Sequence, residues 1–359
     1  MSNNILKEKK ILFLIKTMDI GGAEKFTLNL CRFMSGKFKE VSVFSSGGIF
    51  EQELNEVNVK HFKSCYSLKK GIFNFFRLRK EVKKILTTEH FDIIHCQHRI
   101  FTALIKTINL GNTKTVYTAN NYFDDVYQKL LFPDIAVAIS PSIFRNLLKT
   151  TLFPLKKIKR INYGVNCNLS MESNSEFKNI GFIGRLIEEK GIFNLTRAVK
   201  ILKEENIFVK LIFKGNGKDT GKLKTLIGEL DLKEQIIITP PTVNDDFVFK
   251  DISVLVLPTT LNEGLPISVL EAMSKGIIVA ATNAGSIGDA IINNDTGFIF
   301  KNNAPEEIAN TLAGIIEKFS GMKGIRANAF NLISRNYSLA RMNEMYLNLY
   351  ASLLKNFYT

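Results

Sequence analysis

Short apolar runs alternate with longer segments of helical periodicity along the first half of the chain. These runs predict buried strands, and their sequences are KILFLI, EVSVFSS, FDIIHCQ, KTVYTA and IAVAIS. A loop, KTMDIGGAE, follows the first strand, and a helical pattern then extends from about Glu24 to Phe33. Strands that alternate with helices favour a parallel sheet covered by helices on both faces.

The same alternation starts again after Asn174. Strands are predicted at NIGFIGR, FVKLIFKG, QIIITP, ISVLVLP, IIVAAT and GFIF, and helices at GIFNLTRAVKILKEEN, PISVLEAMSKG and from Pro305 to about Phe319. Two doubly wound α/β units in tandem are the simplest account, with the polar stretch 166–179 as their linker. The amphipathic segment YSLARMNEMYLNLYASLLKNFY predicts a final helix, and periodicity does not identify the unit that it packs on.

Composition is that of a folded protein, with 23% charged and 45% hydrophobic residues among 359. No apolar run approaches the roughly 18 residues of a membrane span, and the polar N-terminus does not resemble a signal peptide. We therefore expect a cytosolic protein. The four cysteines have no paired spacing, which suggests neither a disulfide framework nor a zinc site.

The net charge of +14 is distributed unevenly along the chain. Residues 1–170 hold 27 Lys and Arg against 13 Asp and Glu, whereas residues 171–359 hold 21 of each kind. Such an asymmetry indicates an anionic partner for the first half, whether a membrane surface, a nucleic acid or a phosphorylated substrate.

The stretch NEGLPISVLEAMSKG carries two glutamates around a helix predicted from about residue 266 to 275. Pro266 suits the first turn, and Gly264 and Leu265 precede it, where free backbone N–H groups favour an anionic or oxygen-rich ligand. Glu263 lies beside that cluster. Glu271 lies among apolar residues and needs hydrogen-bond partners, either ribose hydroxyls or a nearby Lys or Arg.

A second cluster, GFIGRLIEEKG, places Gly184, Arg185 and Lys190 between a strand and a helix. Ligands of doubly wound folds bind at the carboxyl ends of strands, so two cations there suit a diphosphate. A solvated loop with ordinary cations is the alternative. Gly21 and Gly22 have the same placement in the first half, where they permit close approach of a phosphate or sugar or simply form a tight turn.

Several other patterns argue against particular chemistries. The sequence GNGKDTGKL lacks the first glycine and the Ser or Thr of a phosphate-binding P-loop, and no complete dinucleotide fingerprint occurs. His95 and His98 have no third metal ligand at a convincing spacing, although one of them could line the cleft. No Asp-x-Asp occurs, which disfavours transferases that hold a nucleotide through a metal on that motif.

The stretch HFKSCYSLKKGIFNFFRLRKEVKKIL mixes aromatic and basic residues at near-helical spacing. This pattern is typical of a helix that lies on a membrane surface, and equally of a core-facing helix with a solvated basic face.

The order of these pieces resembles the retaining family 4 glycosyltransferases of GT-B fold, of the bacterial surface-polysaccharide type. The resemblance covers nearly the whole chain: GGAE, FDIIHCQH, AVAIS, INYGVN, IGRLIEEKG, LIFKGNG, LPTTLNEGLPISVLEAMSKG and NAGSIGDAIINNDTGFIF. It implies two Rossmann-like domains that face each other across a cleft, an acceptor-binding domain at residues 1–165 and a nucleotide-sugar-binding domain at 166–335. The helix at 336–359 is expected to return to the first domain.

The resemblance also implies roles for individual residues. Arg185 and Lys190 match the cations that hold the donor diphosphate, Glu271 matches the carboxylate that takes the ribose hydroxyls, and Glu263 matches a contact to the sugar. The donor-binding set is Gly22, Gly184, Arg185, Lys190, Glu263, Gly264, Leu265, Pro266 and Glu271. The family retains anomeric configuration without a protein nucleophile, so the implied catalytic set is Arg185, Lys190, Glu263 and Asn120, with no metal and no cofactor.

Two positions depart from the family pattern. Asn120 stands where many relatives carry a histidine, so hydrogen bonding is retained there and proton transfer is not. Gly288 and Asp289 stand where relatives often have Pro-Glu. Gly21, His98 and Asn121 are further candidates for the cleft and the acceptor.

The function implied is a metal-independent hexosyltransferase that moves one sugar from a nucleotide donor, of UDP type, to a growing lipid-linked glycan such as an O antigen. The enzyme would be cytoplasmic and peripheral on the inner membrane face, bound to anionic lipid through its basic first half, with no nucleic acid partner. A sugar-nucleotide epimerase or a phosphorylase on a similar fold is the alternative, and a basic nucleic-acid-binding protein is a more distant one. The sequence does not identify the sugar, base, acceptor or oligomeric state.

Overall fold

The computed structural model describes residues 5–65, 72–123, 133–151, 153–167, 176–243 and 248–355. The chain forms two compact units. The first contains residues Met1–Gly164 together with Ala340–Thr359, and the second contains Val165–Leu339. Part of the stretch expected to be the linker, 168–175, lies outside the described residues.

The first unit is built on a sheet of seven parallel strands in the order β3-β2-β1-β4-β5-β6-β7. These strands are β1 (Lys10–Leu14), β2 (Glu40–Ser45), β3 (Lys60–Lys63), β4 (Ile93–Cys96), β5 (Lys114–Ala119), β6 (Ile135–Ala138) and β7 (Ile158–Arg160). The order reverses between β1 and β4, and in doubly wound sheets the ligand lies beyond the carboxyl ends of the strands at such a switch point.

The second unit repeats this plan with six parallel strands in the order β10-β9-β8-β11-β12-β13. They are β8 (Ile180–Ile183), β9 (Leu211–Lys214), β10 (Ile236–Thr239), β11 (Val254–Leu257), β12 (Ile278–Thr282) and β13 (Phe298–Phe300). The switch point of this sheet lies between β8 and β11. The predicted fold class, two doubly wound parallel-sheet α/β domains, is confirmed.

Helices cross between the strands of both sheets. In the first unit they are α1 (Gly22–Met34), α2 (Glu51–Glu56), α3 (Ile72–Thr88), α4 (Arg99–Ile105) and α5 (Pro141–Thr150). The later helices are α6 (Ile192–Glu204), α7 (Thr220–Glu229), α8 (Ile267–Ser274), α9 (Pro305–Lys318), α10 (Lys323–Asn336) and α11 (Leu339–Lys355). Right-handed crossovers put α1 and α2 on one face of the first sheet, and α3, α4 and α5 on the other. Among the described residues, no helix is both long enough and apolar enough to cross a bilayer.

The aromatic and basic stretch at 61–86 was predicted to have helical spacing throughout. For its first residues that prediction is wrong. Lys60–Lys63 form β3, an edge strand that pairs in parallel with β2. The helix α3 starts only at Ile72, and residues 66–71 lie outside the described part of the chain. The backbone of residues 60–63 is used by the sheet, and that pairing overrides the weak helical pattern of their side chains.

Helix α11 completes the core of the first unit through a buried polar network. The Nδ1 atom of His95 lies 2.7 Å from the hydroxyl oxygen of Tyr350, and its Nε2 lies 2.7 Å from Oγ1 of Thr118. The hydroxyl of Tyr346 lies 2.9 Å from the same Thr118 oxygen. All four side chains are buried, and burial lowers the pKa of His95 to about 3. The imidazole is therefore neutral at physiological pH and holds α11 against the sheet.

Candidate functional site

Lys190 and Glu263 form an ion pair at the switch point of the second sheet. Lys190 ends the 3₁₀ turn Glu188–Lys190, which follows β8, and Glu263 lies in the loop that follows β11. Only 8% of the Lys190 surface is exposed. The two residues that the sequence identified separately, as a phosphate ligand and a sugar ligand, are thus in direct contact.

The loops after β8 and β11 are held together by their backbones. The N–H of Thr260 donates a hydrogen bond to the carbonyl of Glu189 at 2.9 Å, and Oγ1 of Thr259 donates to the same oxygen at 3.2 Å. Gly191 follows the 3₁₀ turn with φ of 76°, and a Cβ there would lie 2.1 Å from the carbonyl oxygen of Pro258. These contacts join the loop that carries Lys190 to the loop that leads to Glu263.

Burial and charge act against each other on the Lys190 ammonium. Burial lowers its pKa, the carboxylate of Glu263 raises it, and the nearby charge of Arg185 lowers it further. Arg185 itself is exposed. A buried cation beside an exposed one provides two positive groups of different character, one fixed in position and one free to follow a ligand.

A third loop, which follows β12, contacts the backbone of Glu263. The N–H of Ser286 donates to the carbonyl of Glu263 at 3.1 Å, and Gly285 adopts φ of 62°. A Cβ on Gly285 would lie 2.2 Å from that same carbonyl oxygen. The sequence NAGS therefore requires glycine at this position, and the loop after β12 contacts the backbone carbonyl of Glu263. Asp289, the weak match to the family glutamate, is half-buried in the 3₁₀ turn that follows.

Helix α8 begins at Ile267 directly after this cluster, with Pro266 as its N-cap residue. Gly264 and Leu265 are buried just before the helix, and the N–H groups of its first residues follow Glu263 closely along the chain. Glu271 is half-buried, whereas its neighbours Leu270 and Ala272 are fully buried. The assignment of Glu271 to ribose remains a prediction.

The glycines of FKGNG, which do not form a P-loop, pack against the backbone of the β8 loop. Gly215 has φ of 159°, and a Cβ there would lie 1.9 Å from the carbonyl oxygen of Gly184. A Cβ on Gly217 would lie 2.2 Å from the carbonyl oxygen of Leu186. Beyond these glycines, the buried carboxylate of Asp219 accepts a hydrogen bond from the N–H of Glu188 at 3.0 Å. Asp219 thereby supports the turn that carries Lys190, a role that no sequence signal indicated.

In the first unit, Gly21 is the N-cap residue of α1 and Gly22 is its first residue. The carboxylate of Glu24 folds over this turn, because a Cβ on Gly21 would lie 2.3 Å from Oε2 of Glu24. Oγ1 of Thr17 donates to the Glu24 carboxylate at 3.2 Å. Burial raises the pKa of Glu24, and Asp19 raises it further. Glu24 is a candidate polar group at the end of β1 that the sequence analysis did not single out.

Asn120 and His98 lie beyond the ends of β5 and β4. The amide nitrogen of Asn120 donates to the carbonyl oxygen of Gln97 at 3.2 Å. His98 is the N-cap residue of α4, and burial together with the charge of Lys16 lowers its pKa to about 4. Within the described residues, neither Nδ1 of His98 nor Oδ1 of Asn120 has a hydrogen-bond partner. Asn121 is exposed. Of the two histidines considered for the cleft, His95 is buried in the core of the first unit, where it contacts Tyr350 and Thr118.

Comparisons with known proteins identify the family of the chain. Residues 20–169 match the family model described as Glycosyltransferase Family 4, and residues 170–331 match the one described as Glycosyl transferases group 1. The chain is 27% identical to an uncharacterized glycosyltransferase of Haemophilus influenzae, over 94% of this chain and 98% of that protein. It is 26% identical to the capsular polysaccharide biosynthesis glycosyltransferase CapH of Staphylococcus aureus, again over 94% and 98%.

A solved structure, Anabaena HepE in complex with UDP-glucose, has the same fold. Its TM-score is 0.81 at 18% identity, over 96% of this chain and 100% of that chain. Two family matches that together run from residue 20 to residue 331, and two parallel-sheet units with a shared switch-point plan, define the class of protein. The chain belongs to the family 4 glycosyltransferases, enzymes of GT-B fold, and the predicted family is confirmed.

Proposed function

We propose that this glycosyltransferase moves a single hexose from a UDP-sugar to a growing lipid-linked glycan of a bacterial surface polysaccharide, with retention of anomeric configuration. The observation that carries the proposal is the Lys190–Glu263 ion pair, with exposed Arg185 close enough to affect the pKa of Lys190. A group with both charge signs suits a donor that has an anionic diphosphate joined to a neutral, hydroxyl-rich sugar.

In this proposal, donor binding redistributes the pair. The diphosphate lies between Lys190 and Arg185, and the N–H groups at the start of α8 add partial positive charge. Glu263, released from part of its attraction to Lys190, accepts hydrogen bonds from sugar hydroxyls. Glu271 accepts from the ribose hydroxyls. The site therefore replaces one internal ion pair with charge-assisted contacts to both halves of the donor.

The proposed reaction proceeds on one face of the sugar. The bond between the anomeric carbon and the donor phosphate oxygen breaks, and its electron pair stays on the departing diphosphate. The acceptor hydroxyl oxygen bonds to the anomeric carbon from the same face, and its proton passes to the departing phosphate oxygen. Lys190 and Arg185 stabilise the negative charge that develops, so no metal ion is required for that task. Asn120 contributes a hydrogen bond and not a proton.

The acceptor is proposed to use the first unit. Glu24, His98, Asn120 and Asn121 provide polar groups at the carboxyl ends of its central strands, and Gly21 and Gly22 lie beside them at the start of α1. The relatives CapH and a putative colanic acid biosynthesis glycosyltransferase of Escherichia coli support a surface-polysaccharide acceptor. A lipid-linked acceptor would place the enzyme at the inner face of the cell membrane, in the cytoplasm.

The proposal is tested with the purified protein and a panel of sugar nucleotides that vary in base and in sugar. Thermal stabilisation by each donor and slow release of free nucleotide identify the donor. With the acceptor supplied as a short lipid-linked oligosaccharide, the coupling of the new anomeric proton distinguishes retention from inversion. Epimerised donor without acceptor, or turnover that depends on inorganic phosphate, would replace the proposal. Loss of turnover in a chelator would contradict metal independence.

A further inference from the structure

Helix α3 exposes two phenylalanines that the fold of the first unit does not use. Phe73 is 79% exposed and Phe76 is 59% exposed. The helix is attached to the unit by its other side, where Leu78 and Val82 are buried. Two large apolar side chains in water next to each other on one helix indicate that another surface covers them.

Basic residues share the exposed face with these phenylalanines. With about 100° per residue, an arc of about 120° contains both rings and every exposed Lys or Arg of the helix. The six members are Phe73, Phe76, Arg77, Lys80, Lys83 and Lys84. We call this set the α3 face. The apolar pair lies near the first turn, and the cations continue from it toward the end of the helix.

Acidic charge is absent from the α3 face. Glu81 is the one carboxylate in the sequence of α3, and it is turned to the side of the helix. It accepts hydrogen bonds from Oγ of Ser64 at 2.5 Å and from the N–H of Cys65 at 3.0 Å. Arg79 is also outside the face, since it donates to Oγ1 and to the carbonyl of Thr107 at 2.7 Å. The charged members of the α3 face are therefore all positive.

We propose that the α3 face is a docking surface for an anionic lipid bilayer. Exposed rings enter the boundary between headgroups and acyl chains, while flexible lysines reach the phosphates of neighbouring lipids. A second copy of the chain is a poor occupant, because two such faces would bring like charges together. This proposal specifies the membrane partner of the proposed function, yet its test requires no catalysis.

Charge and apolar contact each make a measurable contribution. A lysine near an anionic membrane surface strengthens binding about fivefold, and this part weakens as salt screens the surface. The contribution of the two phenylalanines to binding comes from burial of their rings in the bilayer, and it does not weaken as the salt concentration rises. Binding with both a salt-sensitive and a salt-resistant component is therefore the expected signature.

The chain contains no tryptophan, which allows a direct probe of insertion. In Phe76→Trp, the single indole reports its surroundings. Vesicles of phosphatidylglycerol and phosphatidylcholine should shift its emission to shorter wavelength, and brominated acyl chains should quench it. The matched control is Phe208→Trp, because Phe208 is 73% exposed but belongs to the second unit. Unchanged emission from Phe76→Trp, or equal shifts in both variants, would overturn the proposal.

Flotation with the same vesicles tests the energetics. Phe73→Ser with Phe76→Ser should weaken binding at least about tenfold, and Lys80→Glu with Lys84→Glu should weaken it more. The controls are Phe208→Ser, and Lys224→Glu with Lys233→Glu, all at exposed positions of the second unit. Equal losses in test and control variants, or wild-type binding to phosphatidylcholine alone that is just as tight, would contradict the proposal.

Two further measurements distinguish a membrane surface from other binding partners. If a mixed-sequence RNA competes with vesicles and its binding ignores the two phenylalanines, the face is a nucleic-acid surface and the proposal fails. UDP binding measured on every variant separates this inference from the proposed function. Loss of vesicle binding with unchanged UDP affinity supports the α3 face, whereas absent UDP binding in the wild-type protein would affect the proposed function alone.

Discussion

The ammonium of Lys190 contacts the carboxylate of Glu263, so the two charges that the donor would need are already paired with each other. The pair is largely buried, and only 10% of the Lys190 side chain and 17% of the Glu263 side chain are exposed. A ligand that draws either partner away must supply a replacement charge or hydrogen bond, because an unpaired charge at this depth is unfavourable. In the proposed function, the pair would favour ligands that have an anion next to hydroxyl groups.

Lys190→Ala should reduce kcat by about a hundredfold or more, because it removes a fixed positive charge from the departing diphosphate. Glu263→Ala should be similarly harmful, since it leaves Lys190 without its partner. The measurement is sugar transfer under saturating donor. Lys218→Ala is the matched control, because Lys218 pairs with Glu189 at 3.1 Å but is largely exposed. Wild-type turnover by Lys190→Ala would exclude the assigned role.

Arg185→Ala should weaken UDP binding about tenfold or more while the protein keeps its stability. An exposed arginine contributes little to folding, so the free energy of unfolding should change by less than about 0.5 kcal/mol. The proposed charge-assisted contact of its guanidinium to the donor phosphate would be lost. Titration calorimetry with UDP and thermal unfolding measure the two quantities. Arg197→Ala, at an exposed position of α6, should change neither of them. Undiminished UDP affinity in Arg185→Ala would remove this residue from the diphosphate site.

Gly285→Ala should lower both stability and activity. The position has φ of 62°, and the new Cβ would meet the carbonyl of Glu263. The backbone of Glu263 must then shift, which displaces its carboxylate from Lys190. Gly221→Ala is the contrasting variant, because Gly221 lies in helix α7 with open space around it. Alanine there should stabilise the protein by about 0.5 to 1 kcal/mol. The melting temperature and the rate of sugar transfer are measured for both variants. Full activity of Gly285→Ala would mean that the position of Glu263 does not depend on its contact with Gly285.

The free energy of unfolding should decrease on acidification because of His95. Its pKa is about 3 in the folded chain and about 6.5 when unfolded, so between these values only the unfolded chain binds the proton. The free energy of unfolding should therefore decrease as pH falls below about 6.5, by up to about 1.4 kcal/mol per pH unit. His98, with a pKa of about 4, acts in the same direction.

Urea unfolding at about pH 7.5 and about pH 5 measures this effect. His95→Gln should be less stable than the wild type at the higher pH, because the bonds to Tyr350 and Thr118 change, yet it should lose less stability on acidification. His90→Gln, at an exposed position, serves as the control and should follow the wild type. If the stability of His95→Gln depends on pH as steeply as that of the wild type, the buried imidazole does not cause the pH dependence.

Much of the fold could be predicted from apolar runs. The run KILFLI forms β1, because a strand that is buried on both faces of its sheet requires an apolar run. The segment PISVLEAMSKG forms α8, which has buried apolar residues along most of its length. The strands β3 and β7 were missed. Lys60–Lys63 lacks a fully buried residue, and Ile158–Arg160 has only one, so hydrogen bonding to β2 and β6 alone makes them strands.

The assignment of donor-binding roles stays a prediction, and the contact between Lys190 and Glu263 was not foreseen from the sequence. Lys190 and Glu263 are far apart in sequence, and they meet because β8 pairs directly with β11. Strand order is a property of the whole sheet, so no local pattern reports it. Glu24 was missed for a related reason: its pKa shift arises from burial under the Gly21 turn, which a sequence does not show.

The network of His95 with helix α11 has a consequence for how each molecule is made. His95 and Tyr350 are separated by 255 residues, and the entire second unit is synthesised between them. At about 5 to 20 residues per second, the ribosome needs roughly 10 to 50 s to cover that distance. Throughout that interval Phe26 of α1 lacks the ring of Tyr346, which lies 5.5 Å from it between centroids in the folded chain. The second unit is complete in sequence before the first is, so the order of translation is the reverse of the order in which the two cores are closed.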